Sequence, residues 1–307
     1  MTSRPTKPLA ETGPESLLGR SIGQWSFLLV FPRAILLQVA HPAVGAGVAQ
    51  HSIYRTDLWQ RGYRTLAHLQ RLAHADPADG ERLGRQLRRW HRDIHGVDSH
   101  GRPYHALRPE LFLWVHATYL DSILTLWDLC GRPLDAEERR QLYRQWLRVG
   151  RCLGLRQEEL PPDLDAFTAY FTATLTSLEH TEPVRHLLGP APLTPPRPVS
   201  GLPLAAACFR AFGRVLFPHL TRMTVALLPL EALTAMGLPS AHRVYSYLAR
   251  GLARALNAVP WRRVPYRAGV RTSNSPRKRQ PCATRLRLGS RIRGRRGART
   301  TRSWMPW

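Results

Sequence analysis

The sequence predicts an all-α protein, and three observations carry that reading. Apolar residues recur with a helical period from residue 22 to about residue 180. Aspartates stand where helices should begin, at Asp76, Asp135 and Asp163. No stretch alternates apolar and polar residues for long enough to make a convincing strand.

The elements follow in chain order. Residues 1–21 are rich in proline and charge and are expected to be flexible. Residues 26–49, SFLLVFPRAILLQVAHPAVGAGVA, are the most apolar segment. A membrane span needs about 20 mostly apolar residues in a row. Here Pro32, Arg33, His41 and Pro42 interrupt the run. The segment reads instead as a buried core helix over 33–49, stopped or kinked near His41-Pro42. Residues 57–74 bring Leu58, Leu66, Leu69 and Leu72 near one another on a second helix. Asp76 caps a third, with Pro77 at its first position, running to about Ile94 and closing at Gly96. A loop rich in turn formers follows, GVDSHGRPYHALRP. Pro109 then opens a helix that is apolar on nearly every side and closes at Gly131, the mark of a central helix buried all round. Asp135 caps a helix through about Leu153, and Asp163 caps DLDAFTAYFTATLTSLEH. Six prolines between 189 and 203 forbid regular helix there and make a linker. Residues 204–257 hold two or three further helices.

Composition bounds the function. A chain of 307 residues makes one large domain or two small ones, and a hydrophobic share of 43 % is enough for a sizeable core. The net charge of +24 is unevenly spread. No acid follows Glu231, and fifteen Arg or Lys residues lie between Arg262 and Arg302. The chain therefore divides into a helical domain at 22–257 and an Arg-rich tail at 258–307, expected to be disordered. Attraction to polyphosphate would follow from the tail's charge, but sparse aromatics give stacking on bases little support. A disordered appendage or an altered reading frame in a GC-rich gene is the preferred explanation of the tail. The four cysteines, Cys130, Cys152, Cys208 and Cys282, form no CxxC or CxxCH pair, which argues against a Cys-rich zinc site or covalent haem attachment. With no apolar core behind a charged start, the N-terminus does not read as a signal peptide. Reduced cysteines and the absence of a leader make a cytoplasmic location the expectation.

Three groups of residues are candidates for chemistry. In RRWHRDIHG, residues 88–96, His91 and His95 sit four apart and would share one helix face. A shared metal, a haem ligand and no function at all are each open. Carboxylates that would complete a non-haem site are absent, since Ser16 to Thr56 contains no acid and 57–74 only Asp57. A single histidine suffices for haem iron. In RGYRT, Arg61, Arg64 and Thr65 lie on one side of a helix, either lining a pocket for anionic groups or laying arginine stems along the surface. In WVHATYLDS, His116 and Asp121 lie on the apolar helix, as a pocket wall or as satisfied pairs linking neighbouring helices.

Taken together, LLQVAHPAVGAGVAQHSIYR, RGYRT and RRWHRDIHGVDSHGRPYHALRPELFLWVHATYLDS occur in the order seen in a large group of bacterial proteins. The chain resembles the MpaB-type oxygenases, relatives of the rubber-cleaving latex clearing proteins and of the fungal mycophenolic-acid side-chain oxygenase. The resemblance covers roughly residues 22–235. It implies a globin-like helical core holding a non-covalent haem b. It implies His91 as the proximal iron ligand within H-x-x-x-[RH]-G, with His95 where arginine often stands. It implies Arg61, Arg64 and Thr65 on the distal side, able to stabilise charge on bound oxygen or on haem propionates. Rubber-cleaving members carry a glutamate before the distal motif, and HPAVGAGVAQHS has none. The expected substrates are therefore dioxygen and a small apolar molecule of isoprenoid or alkene-containing type, rather than polyisoprene. His41 and His51 stand where a replacement base would be sought. A helical haem- or nucleic-acid-binding protein without turnover is the alternative of a different class.

Overall fold

A computed structural model describes residues 11–189, 195–196, 202–240 and 242–258. Among them are twelve α-helices and one two-stranded hairpin, so the chain is all-α. Residues 190–194 and 197–201 of the Pro-rich linker lie outside the described residues, as does the basic tail beyond Ala258.

The first helix, α1 (Leu17–Gly23), begins inside the segment expected to be flexible. Its Ser16 side chain accepts from the Gly19 N–H, and Leu17, Leu18 and Ile22 are buried. Apolar burial and a proper N-cap offset the ordering cost that proline and charge at the start of the chain suggested. The apolar segment is two helices, α2 (Phe27–Ala40) and α3 (Pro42–His51), bent by 100° at His41. Proline at the first position of α3 accounts for the break, because it cannot continue the hydrogen-bond ladder of α2. Among the described residues no single helix is long and apolar enough to cross a membrane.

Two amphipathic helices follow, α4 (Leu58–His74) and α5 (Pro77–His91). Asp57 and Asp76 cap them by accepting from Gln60 and Asp79 N–H groups. After α5 comes the hairpin β1 (His95–Val97) and β2 (Pro103–His105), antiparallel, with Gly96 opposite Tyr104. The central helix α6 (Pro109–Leu129) runs through the core as expected and packs on α2 and on α7 (Ala136–Leu153). Several polar side chains tie α6 to its neighbours. Trp114 Nε1 donates to Leu37 O at 3.2 Å, and Gln38 Nε2 donates to Thr118 Oγ1 at 2.9 Å. Arg33 binds Asp121 at 2.6 Å and also donates to Ser122 Oγ and Leu227 O.

The remaining helices close the bundle: α8 (Leu164–Leu175), α9 (Glu182–Leu188), α10 (Pro203–Ala226), α11 (Leu230–Ala235) and α12 (Arg243–Ala258). The helix capped by Asp163 ends at Leu175, well before the segment read as helical runs out. Glu179 N–H then bonds Ala40 O, and Thr181 Oγ1 bonds Val39 O. These bonds take the chain out of the helix and satisfy the carbonyls freed by the bend after α2.

Candidate functional site

A cavity opens among α3, α4, α5 and α6. Helices α4 and α5 are joined by a short turn, yet α5 packs chiefly on α7, while α4 leans on α1. Two glycines let α5 approach α7 so closely. A Cβ on Gly84 would stand 1.7 Å from the Cys152 carbonyl oxygen, and one on Gly80 2.8 Å from Cys152 Sγ. The cavity walls are mainly aliphatic, from α3 (Val44, Val48), α4 (Leu69, Leu72), α5 (Leu87) and α6 (Leu111, Val115). No acidic residue is among the lining residues.

His91 closes α5 at this cavity and is only 6 % exposed. Its Nδ1 is 2.7 Å from Leu87 O, so the Nδ1–H donates there and Nε2 carries the lone pair. Burial pulls its pKa down to about 3, so the ring is neutral at any ordinary pH. A neutral imidazole held through Nδ1 by a backbone carbonyl has the orientation and tautomer of a metal-ligating histidine.

Arg61 and Thr65 enter the same cavity from α4. Arg61 is 7 % exposed, and burial lowers its pKa. The Thr65 hydroxyl accepts from the Arg61 guanidinium and donates to Arg61 O at 3.0 Å, so Thr65 holds Arg61 in place. Arg64, the third member of that motif, is half-buried and outside the lining. Gln38 and Tyr119 are among the polar lining residues that the sequence did not single out. Tyr119 is buried and hydrogen-bonded to Gln38, and both line the cavity.

His95 sits elsewhere. The expectation of one helix carrying both histidines fails, because α5 ends at His91. Ile94 turns inward to pack with Tyr104 and Leu111, and its carbonyl accepts from Ala106 N–H at 2.8 Å. His95 therefore lies on β1, exposed, stacked on His105 with ring centroids 6.1 Å apart. The glycine after it has a plain physical reason. A Cβ on Gly96 would meet Gln50 Oε1 at 2.4 Å and Tyr104 Oη at 2.9 Å. Gln50 fastens the hairpin to α3 by bonding Tyr104 Oη and Val97 O.

The other histidines divide cleanly. His116 lines the cavity but is consumed in a reciprocal pair with α7. Its Nε2 bonds Trp146 O at 2.9 Å, Trp146 Nε1 bonds His116 O at 3.0 Å, and the rings stack at 4.4 Å. Burial takes its pKa down to about 4. His116 and Asp121 thus each link neighbouring helices, through separate partners. His41 and His51 are outside the lining: His41 caps α3, and His51 Nε2 meets His95 O at 3.2 Å. Among the described residues no three His, Cys, Asp or Glu side chains gather as a metal site.

The family profile described as ER-bound oxygenase mpaB/B'/Rubber oxygenase, catalytic domain, matches residues 19–258. The chain belongs to this family. The match takes in every helix described above except the first two residues of α1, and so all of this oxygenase domain's cavity. Two similar proteins, one from Mycobacterium bovis and one from Mycobacterium tuberculosis, both described as uncharacterized, are 26 % identical over 169 residues. That alignment covers 53 % of this chain and 66 % of each relative. No solved structure matches the chain.

Proposed function

We propose that this oxygenase domain is haem b-dependent and acts on a small apolar molecule with dioxygen. The observation that carries the reading is His91, a neutral imidazole oriented through Nδ1 at the wall of an apolar cavity. The residues present fit the group. One imidazole suffices as the protein ligand of a haem iron. The aliphatic walls suit a tetrapyrrole face, and the buried Arg61 guanidinium suits either its carboxylates or negative charge developing on oxygen. Bound there, haem supplies the activation of dioxygen.

The chain's own residues do the rest. His91 holds the group and fixes its position through the Leu87 carbonyl. Thr65 keeps Arg61 aimed by two hydrogen bonds. Gln38 and Tyr119 are among the polar side chains of a mainly apolar lining, where a polar group on the substrate would orient. The aliphatic walls exclude water and favour an alkene or isoprenoid over a polar substrate. No carboxylate is at hand as a base, so proton transfer falls to hydroxyls, imidazole or water. His95 belongs, in this proposal, to the fastening of the hairpin.

The test is oxygen uptake by haem-loaded protein across a panel of apolar alkenes, with carbonyl and hydroxylated products analysed by mass spectrometry. Uptake that depends on an alkene, and that falls at least tenfold in Arg61→Leu at unchanged haem content, supports the reading. Haem-loaded protein that consumes no oxygen with any member of the panel supports the non-enzymatic haem-binding alternative instead.

A further inference from the structure

The cavity contains a second imidazole that neither the motifs nor the proposed chemistry uses. His68 stands on α4, one turn beyond Thr65, and lines the same cavity as His91. It repeats the arrangement of His91. Its Nδ1 is 2.6 Å from Arg64 O, four residues earlier, just as His91 Nδ1 meets the carbonyl of Leu87. The Nδ1–H donates, and the lone pair is left on Nε2. Its ring is held edge-on against Trp90, centroids 5.1 Å apart, on the residue next to His91. Nε2 has no hydrogen-bond partner among the described residues. Half-burial favours the neutral ring, since its pKa is lowered by desolvation first.

A neutral imidazole fixed through Nδ1 at the wall of an apolar cavity, with no protein partner on Nε2 among the described residues, is a ligand in waiting. Both rings line the one cavity, His68 from α4 and His91 from α5. On the reading that His91 holds a haem, we infer that His68 supplies the second axial ligand, so that the resting protein holds its iron between two imidazoles. Dioxygen would then enter only as His68 leaves.

The experiment is the ferric spin state of the haem-loaded full-length protein, read by absorption and electron paramagnetic resonance. Wild type is expected to be low-spin. His68→Leu is expected to keep its haem, turn high-spin, and return to low-spin on adding free imidazole. It should also bind cyanide about tenfold more tightly, the factor expected when an internal ligand occupies nine-tenths of the sites. His68→Gln serves as a second variant that keeps a hydrogen-bonding side chain without a ligating ring. A high-spin wild type, or a low-spin spectrum unchanged in both variants, overturns the inference while leaving the haem reading intact. Protein that takes up no haem at all overturns both, and haem content reports that separately.

Discussion

Replacing Gly84 with alanine should damage the wall that carries His91. The new Cβ would lie 1.7 Å from Cys152 O and 2.6 Å from its carbonyl carbon, both backbone atoms of α7. Contacts below 3.0 Å do not occur, so α5 and α7 must part by about 1.3 Å. A helix backbone cannot rotate aside, which puts the cost at the upper end of overpacking, about 3 kcal/mol. For a domain of this size that lowers Tm by about 6–12 °C. Two neighbouring substitutions calibrate the effect. Gly80→Ala meets only the Cys152 sulfur, which can swing, and gains about 1 kcal/mol of helix propensity, so it should be nearly neutral. Gly62→Ala on α4 meets nothing within 4 Å and should stabilise by about 0.5–1 kcal/mol. Differential scanning calorimetry reads all three. A Gly84→Ala Tm within about 2 °C of wild type, or a shift of the same sign as Gly62→Ala, would refute the close packing of α5 on α7.

Other expectations follow from the same contacts. Asp121→Leu strands the Arg33 guanidinium, which is 3 % exposed, and should cost about 3 kcal/mol in urea unfolding, whereas adding Arg33→Met should recover at least half of it. Stability should fall in mild acid, because burial depresses His91 to about 3 and His116 to about 4. Each takes up a proton only on unfolding between its folded pKa and about 6.5, so stability is full above that point and lost as pH drops, by up to about 1.4 kcal/mol per pH unit for each ring. Tm measured from pH 7.5 to 5 checks the slope, and His116→Asn should flatten it; a Tm that rises on acidification would contradict the burial of both rings. Removing residues 262–307 should leave haem content unchanged, since the cavity and the family match lie before residue 259.

Much of the fold was legible because its signals are local. Asp57, Asp76, Asp135 and Asp163 each sit at an N-cap, and each accepts the backbone N–H three residues on. Pro42 announced the bend, and the unbroken apolar character of α6 announced its burial. What the sequence hid depends on distant partners. The end of α5 is set by Ile94 docking on Tyr104 and Leu111, and so is the separation of His95 from His91. The short α9 is marked by the Thr181 cap, by Glu182 and Pro183 in its first turn and by Gly189 at its end, but at seven residues it carries too little apolar periodicity to be read as a helix. Of the motif around Arg61, the helical spacing placed all three residues on one side, but only Arg61 and Thr65 reach the cavity. His68 could be placed on a helix from the sequence, but not in the cavity, because its neighbours in space come from α5.

The most direct measurement is haem content in wild type, His91→Ala, His95→Ala and His116→Ala, by absorption spectrum and pyridine haemochrome after expression with added haem. Wild type, His95→Ala and folded His116→Ala are expected to carry about one haem per chain, and His91→Ala to lose most of it or its iron spectrum. Folded wild-type protein that stays without haem in excess hemin, or a His91→Ala variant with full occupancy and an unchanged spectrum, would contradict the assignment of His91 as the iron ligand.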